Sequence, residues 1–250
     1  MKKILNKSIG LMGLVLLAGC SSDFGNGDFW GGDGTGQGGS LARFATVQNN
    51  LYALNADNVL VYGISDPKNP QFITSAFGGP QLETIFPRDQ NTLFLGAPNG
   101  MYIMDISNPR SIKRIGVYNH ITSCDPVVAD NNYAYVTLRS GDGRCRWANN
   151  RLEVIDITDL TNPQLISSQS MSNPRGLAIS GNLLIVCDNG LKVYNRTSVN
   201  PQSGLSMIHH NPTIDAEDII AGPKSLIVVG KSGVRQYQWT GGIFQELSRL

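Results

Sequence analysis

Apolar and polar residues alternate along this chain in short runs. Each run stops at glycine, asparagine, aspartate or proline. A period of two marks half-buried strands, and the runs are too short for helices. In one stretch the pattern predicts strands over Gly176–Ser180, Leu183–Cys187, Leu191–Tyr194 and Leu205–Ile208. Gly181-Asn182 and Asp188-Asn189-Gly190 lie between the first three as hairpin turns. The same division fits the rest of the sequence after Ser40. It predicts Phe44–Val47, Leu51–Leu54, Val59–Ile64 and Gln71–Ser75; then Leu82–Phe86, Leu93–Leu95, Met101–Ile106 and Lys113–Val117. It continues with Pro126–Ala129, Tyr133–Leu138, Leu152–Ile157 and Gln164–Ser168, and after the stretch above with Asp218–Ala221, Leu226–Val229, Val234–Tyr237 and Phe244–Leu247.

The third strand of each group carries a recurring phrase. It reads Val61-Tyr62-Gly63-Ile64-Ser65-Asp66-Pro67, then Ile103-Met104-Asp105-Ile106-Ser107-Asn108-Pro109, then Val154-Ile155-Asp156-Ile157-Thr158 with Asn162-Pro163 beyond. Weaker echoes are Leu191-Lys192-Val193-Tyr194-Asn195 and Gly233-Val234-Arg235-Gln236-Tyr237. A spacing of roughly 40 residues points to a propeller, since a β-solenoid wants a shorter rung. The expectation is an all-β fold: a five-bladed β-propeller of four-stranded antiparallel blades, spanning 41–250. Each repeat holds its strands in order. Ring closure is therefore expected from side-chain packing of the first blade on the fifth, without a swapped strand.

The run 105–109, Val154-Ile155-Asp156-Ile157 and the run 173–182 (Asn-Pro-Arg-Gly-Leu-Ala-Ile-Ser-Gly-Asn) together resemble the LVIVD-repeat family of bacterial β-propellers. Gly63 and Gln238 stand where that pattern would place the aspartate, so the first and fifth repeats depart from it. The resemblance implies a fold and an envelope location, not a reaction. Asp105 and Asp156 read as turn residues whose carboxylates accept backbone N–H groups, rather than as catalytic acids.

The N-terminus reads as an address. Lys2, Lys3 and Lys7 precede an apolar stretch from Ile9 to Ala18, and Leu17-Ala18-Gly19-Cys20 resembles the lipobox of bacterial lipoproteins. That resemblance implies a signal peptide over 1–19, cleavage before Cys20 and diacylglycerol or palmitate on its sulfur. Ser21 and Ser22 resemble an outer-membrane sorting signal, so the implied location is the outer membrane, lipid-anchored. Residues 20–40 are crowded with glycine and read as a tether. Phe24, Phe29 and Trp30 within it fit either a membrane or partner contact or a solvated linker. Without the three leader lysines, 17 basic side chains face 19 acidic ones. That balance argues against a nucleic-acid partner, which wants a basic face.

Aligning the repeats on Leu51, Thr92, Tyr133, Leu183 and Ser225 places Arg43, Thr84, Asp125, Arg175 and Glu217 at one position, near the start of each innermost strand. Innermost strands line the channel, so Arg43, Asp125, Arg175 and Glu217 are expected to ring its mouth, with Glu83 and Asp218 beside them. Two readings stand: salt bridges between blades, or contacts to a polar ligand. The longest insertion, Arg139 to Asn150, opens on the same face. Its Arg144, Arg146 and Trp147 suit a binding loop, because such residues dominate interface hot spots; a tolerated insertion with Trp147 packed on its own blade fits as well. Cys124–Cys145 is the preferred disulfide, with Cys187 left as a buried free thiol or pairing Cys145 instead.

His120, Cys124 and Asp125 match no familiar metal-ligand spacing, and no Gly-x-Ser-x-Gly elbow or separate carboxylate pair occurs. The sequence therefore assigns no catalytic residue, no metal and no cofactor. The function expected is a lipid-anchored envelope propeller acting as a non-catalytic scaffold for an envelope protein partner. The alternative is a small-ligand-binding protein or hydrolase-like enzyme working at the channel mouth.

Overall fold

A computed structural model describes residues 35–36, 38–120, 126–140 and 149–250. Among these residues the protein is all strand and turn, without helices, in five antiparallel sheets. Blade 1 comprises β1 (Thr35–Gly36), β2 (Phe44–Val47), β3 (Asn50–Asn55), β4 (Asn58–Gly63) and β5 (Gln71–Phe77). Blade 2 comprises β6 (Thr84–Pro87), β7 (Thr92–Ala97), β8 (Gly100–Asp105) and β9 (Lys113–Asn119). Blade 3 comprises β10 (Val127–Ala129), β11 (Tyr133–Leu138), β12 (Arg151–Asp156) and β13 (Gln164–Ser170). Blade 4 comprises β14 (Pro174–Ser180), β15 (Leu183–Asp188), β16 (Leu191–Asn200) and β17 (Gly204–Asn211). Blade 5 comprises β18 (Asp218–Ala221), β19 (Leu226–Gly230), β20 (Gly233–Thr240) and β21 (Ile243–Arg249). Within each blade the strands pair in sequence order, so the architecture is the five-bladed β-propeller expected, with all twenty strands in place. Among the described residues the one unforeseen strand is β1, which adds to the inner edge of blade 1.

The repeating phrase works as a turn device. The Asp105 carboxylate accepts the Ser107 N–H at 2.9 Å and the Ser107 hydroxyl at 2.6 Å. Asp156 does the same with Thr158, at 2.8 and 2.7 Å. In blade 4 Asn195 replaces the aspartate and holds Thr197 identically, at 2.9 and 2.8 Å. An amide oxygen serves as well as a carboxylate, so the charge is not what the position needs. The Asp188-Asn189-Gly190 turn has positive φ at Asn189 (49°) and Gly190 (101°), as a tight hairpin demands.

Burial alternates along β2 and β4 of blade 1, whereas β6, β7, β8 and β10 are buried on both faces. One apolar cluster fills the interface of blades 1 and 2, with Tyr52, Val59 and Val61 against Leu93, Leu95 and Met104. A second runs through blades 2, 3 and 4, including Phe94, Tyr135, Val154 and Leu184. A third joins blades 4 and 5 through Ile185, Val193, Ile219 and Val228. Among the described residues no such cluster joins blade 5 to blade 1. The free face of blade 1 leaves Phe44 62% and Phe72 60% exposed, and that of blade 5 leaves Ile227 37% and Val229 36% exposed.

Closure therefore differs from the expected packing of blade 1 on blade 5. The segment just before β2 does the joining. The Ser40 hydroxyl donates to Asp218 at 3.1 Å and accepts the Leu177 N–H at 2.8 Å, tying the N-terminal segment to blades 5 and 4 at once. The Leu41 N–H adds a longer bond to Asp218 at 3.4 Å. The approach is too tight for side chains. A Cβ on Gly39 would enter the Asp218 carboxylate, and one on Gly176 would lie 2.7 Å from the Asp218 Cα. Glycine is required at both by this close approach.

Candidate functional site

Every innermost strand begins on one face of the disc. Arg43 and Glu217 immediately precede β2 and β18, and Arg175 is the second residue of β14, so these three emerge together at the mouth of the channel. Thr84, the first residue of β6, holds the equivalent position in blade 2 and is buried. The fourth charged position, Asp125, lies outside the described residues. So do Cys124, Cys145, Arg144, Arg146, Trp147 and Cys20, and with them the preferred disulfide, most of the insertion and the lipidation site.

Both readings of the ring find something in the structure. Arg175 Nη1 meets Glu217 Oε1 at 3.0 Å, an ion pair between blades 4 and 5. Beside it, the backbone N–H of Gly176 donates to the Glu217 carbonyl at 2.9 Å. Arg43 makes no salt bridge among the described residues. Its Nη2 donates to the Leu82 carbonyl at 3.4 Å, a weak use of a five-donor group. Arg43, Arg175 and a third guanidinium, Arg139, wall one cavity of about 340 Å³ together with Glu83 and Thr84. A second cavity of about 490 Å³ adjoins it across Arg175, and is bordered by Glu217, Asn173, Asn189, Asp215 and Lys231. Asp218 is not at the rim. It turns into the closing seam, where burial pushes its carboxyl above the ordinary range against the lowering effect of its hydrogen bonds.

Three features were missed in the sequence. Arg139 read as the start of the insertion, yet it forms part of the mouth wall. Asp188 read as a turn residue, yet it is fully buried and organises the mouth. It accepts the Ser172 and Asn173 N–H groups at 3.1 and 2.5 Å, and Lys192 Nζ at 2.6 Å. That arrangement fixes the approach to Pro174 and Arg175. Asn150 pins the insertion at its base, accepting the Ser140 N–H at 2.8 Å and donating to the Ser172 carbonyl at 2.6 Å.

Neither His120 nor His209 lines the two cavities at the mouth. His209 lies within β17, ringed by Trp239 at 5.2 Å and Phe244 at 5.7 Å between centroids. His120 follows β9 and sits beside Tyr118, 6.1 Å between centroids. Cys187 is a buried free thiol in β15. Burial pushes its pKa up, with the Asp218 charge adding to the effect. A buried charge between blades 2 and 3, Glu153, is neutralised by Arg151 at 2.8 Å and by the Tyr118 hydroxyl at 2.9 Å, and its setting is structural. Among the described residues no three of histidine, cysteine, aspartate and glutamate converge on a point where a metal could sit.

Residues 93–120 and 123–170, covering blade 2 from its second strand and blade 3, match the LVIVD repeat family. The protein is a β-propeller with LVIVD repeats. No curated protein matches its sequence. Among solved structures, the LVIVD propeller is similar to a protein from Lactobacillus plantarum at 14% identity and a TM-score of 0.62, over 80% of this protein and 67% of that one. It is also similar to Hsv2 of Kluyveromyces lactis at 12% identity and a TM-score of 0.53, over 81% of this protein and 61% of Hsv2. At these identities the likeness is one of fold alone. The match thus spans 67% and 61% of the length of these two propellers.

Proposed function

We propose that this LVIVD propeller is a lipid-anchored binding module of the outer membrane, a rigid disc that presents its channel mouth to an envelope protein partner. The observation that carries this reading is the relation of the chain's entry to the mouth. β1 runs antiparallel to β2 with Thr35 opposite Val47, so the polypeptide reaches the disc at the end of blade 1 remote from Arg43. On this reading a tether from Cys20 meets one face and leaves the arginine-walled mouth on the outward one. The polar cavities and the base of the 139–150 insertion share that outward face. Anchoring through Cys20 rests on the lipobox-like run, and two or three acyl groups hold a protein stably where one does not.

The test is affinity capture from detergent-solubilised envelopes with the full-length protein. Arg43→Glu with Arg175→Glu reverses charge at the mouth, and Arg146→Ala with Trp147→Ala removes the loop's anchors. The reading expects at least one pair to release a partner that the unaltered protein retains. Capture unchanged by both pairs overturns it. Palmitate incorporation lost in Cys20→Ser tests the anchor separately.

A further inference from the structure

Among the described residues, the guanidinium groups of Arg43, Arg139 and Arg175 and the carboxylate of Glu83 wall the 340 Å³ cavity. Such a volume lies near the lower end of small-ligand pockets, so what enters is a small group or the end of a polypeptide. Each guanidinium presents planar, paired N–H donors that match a carboxylate two-to-two. Arg175 already meets one carboxylate in the structure, through a single Nη1–Oε1 contact to Glu217 at 3.0 Å. Arg43 is exposed and among the described residues holds only the long bond to Leu82, which leaves most of its donors facing the cavity. The buried Asp188 fixes the backbone of Ser172 and Asn173, separated from Arg175 by Pro174 alone. The adjoining 490 Å³ cavity is rich in side-chain amides, Asn173 and Asn189, which can donate to and accept from a peptide backbone.

We infer that the mouth of the channel recognises a carboxylate carried on a peptide, with Arg43 and Arg175 as its main contacts, Arg139 beside them, and the preceding peptide groups lying along Asn173 and Asn189. This rests on the mouth being the recognition face. The carboxylate can come from the carboxy terminus of a peptide or from an acidic side group, and the chemistry at the arginines is the same.

The experiment is fluorescence anisotropy on the full-length protein with a labelled tetraglutamate peptide. Its C-terminally amidated form, a tetraglutamine peptide with amidated C-terminus, and inorganic phosphate and succinate as competitors complete the set. The expected result is binding of tetraglutamate over amidated tetraglutamine by about tenfold or more, the usual size of a charge-assisted bond set. Arg43→Met and Arg175→Met should each weaken tetraglutamate by a similar factor while leaving the thermal transition within a few degrees. Loss confined to the amidated form assigns the C-terminus, and equal binding of the two acidic peptides assigns the glutamate side groups. Equal binding of glutamate and glutamine peptides, no binding of any, or displacement by phosphate at lower concentration than by succinate overturns the inference. A partner captured from envelopes through the mouth, with no preference for tetraglutamate, would leave the binding-module reading standing and remove only the carboxylate.

Discussion

Ser40→Ala tests whether the ring is closed by a single hydroxyl. Ser40 is 1% exposed, and its Oγ both donates to Asp218 and accepts the Leu177 N–H. Removing it leaves the N–H of Leu177, itself fully buried, without an acceptor, at about 1–3 kcal/mol. Asp218 loses one donor but keeps the Ile219 N–H at 2.9 Å and the Leu41 N–H at 3.4 Å, so the second loss is the smaller. Together the change should cost about 2–4 kcal/mol, against a total of about 5–15 for an ordinary domain. Urea denaturation of the full-length protein should show the midpoint falling at unchanged slope, and the melting temperature should drop by several degrees. The same site has a pH signature. Asp218 has its carboxyl raised by burial, so the folded protein holds that proton more tightly than the unfolded state does. The resulting stabilisation is complete below the ordinary carboxylate value of about 4 and is lost as pH rises through the higher folded value. Asp218→Asn should remove that dependence and shrink the effect of Ser40→Ala in a double-mutant cycle. A midpoint shift worth less than about 0.5 kcal/mol for Ser40→Ala, with no coupling to Asp218, would refute closure by this contact.

The turn, mouth and core each give a simpler test. Asp156→Ala should cost about 1 kcal/mol in chemical denaturation, whereas Asp156→Asn should be nearly neutral, because Asn195 performs the same role in blade 4. Hydrogen bonds from Thr158 hold the Asp156 carboxyl below its ordinary range, so its contribution is present above about pH 4 and fades as pH falls through the lowered folded value; Asp156→Asn should lack that fade in an acid titration of stability. Asp188→Ala strands the Lys192 ammonium and two backbone donors and should destabilise by about 3–5 kcal/mol, read by thermal melting. Cys187 should resist a thiol reagent in the folded protein and react at the rate of an ordinary thiol once urea is added, since burial both shields it and disfavours the thiolate.

The blades were legible because two periods coincide in the sequence. Alternation marked the buried side of strands such as β4, with Val59 and Val61, and the Asp-Ile-Ser/Thr phrase marked the third strands of blades 2 and 3. Strand ends drifted by a few residues, most at β16 and β20, where pairing runs past the turn signal to Asn200 and Thr240. Arg43 and Arg175 were legible as neighbours because counting back from a repeated strand start marks equivalent positions, and the two wall one cavity. Closure was not. Its contacts link Ser40 to residues 137 and 178 positions away, and neither serine nor glycine carries a pattern that advertises such a partner. Arg139 was missed because it read as the first residue of the insertion, yet it walls the same cavity as Arg43 and Arg175.

The mouth and the seam share the same few residues. Arg175 and Gly176 are consecutive, as are Glu217 and Asp218. The backbone bond from Gly176 to Glu217 draws β14 and β18 together where their strands begin. Gly176 permits that approach by having no side chain, and Asp218 fills the space with a carboxylate that reaches Ser40. The Arg175–Glu217 pair then spans the rim directly above. A repeat-conforming apolar residue at Asp218 could not hold Ser40, and a methyl group at Gly176 would push the blades apart and separate Arg175 from Glu217. The geometry of the recognition face is thus set by the contact that closes the ring. A substitution on the hidden side of the seam, such as Gly176→Ala, acts on the mouth without touching any residue that a ligand would meet.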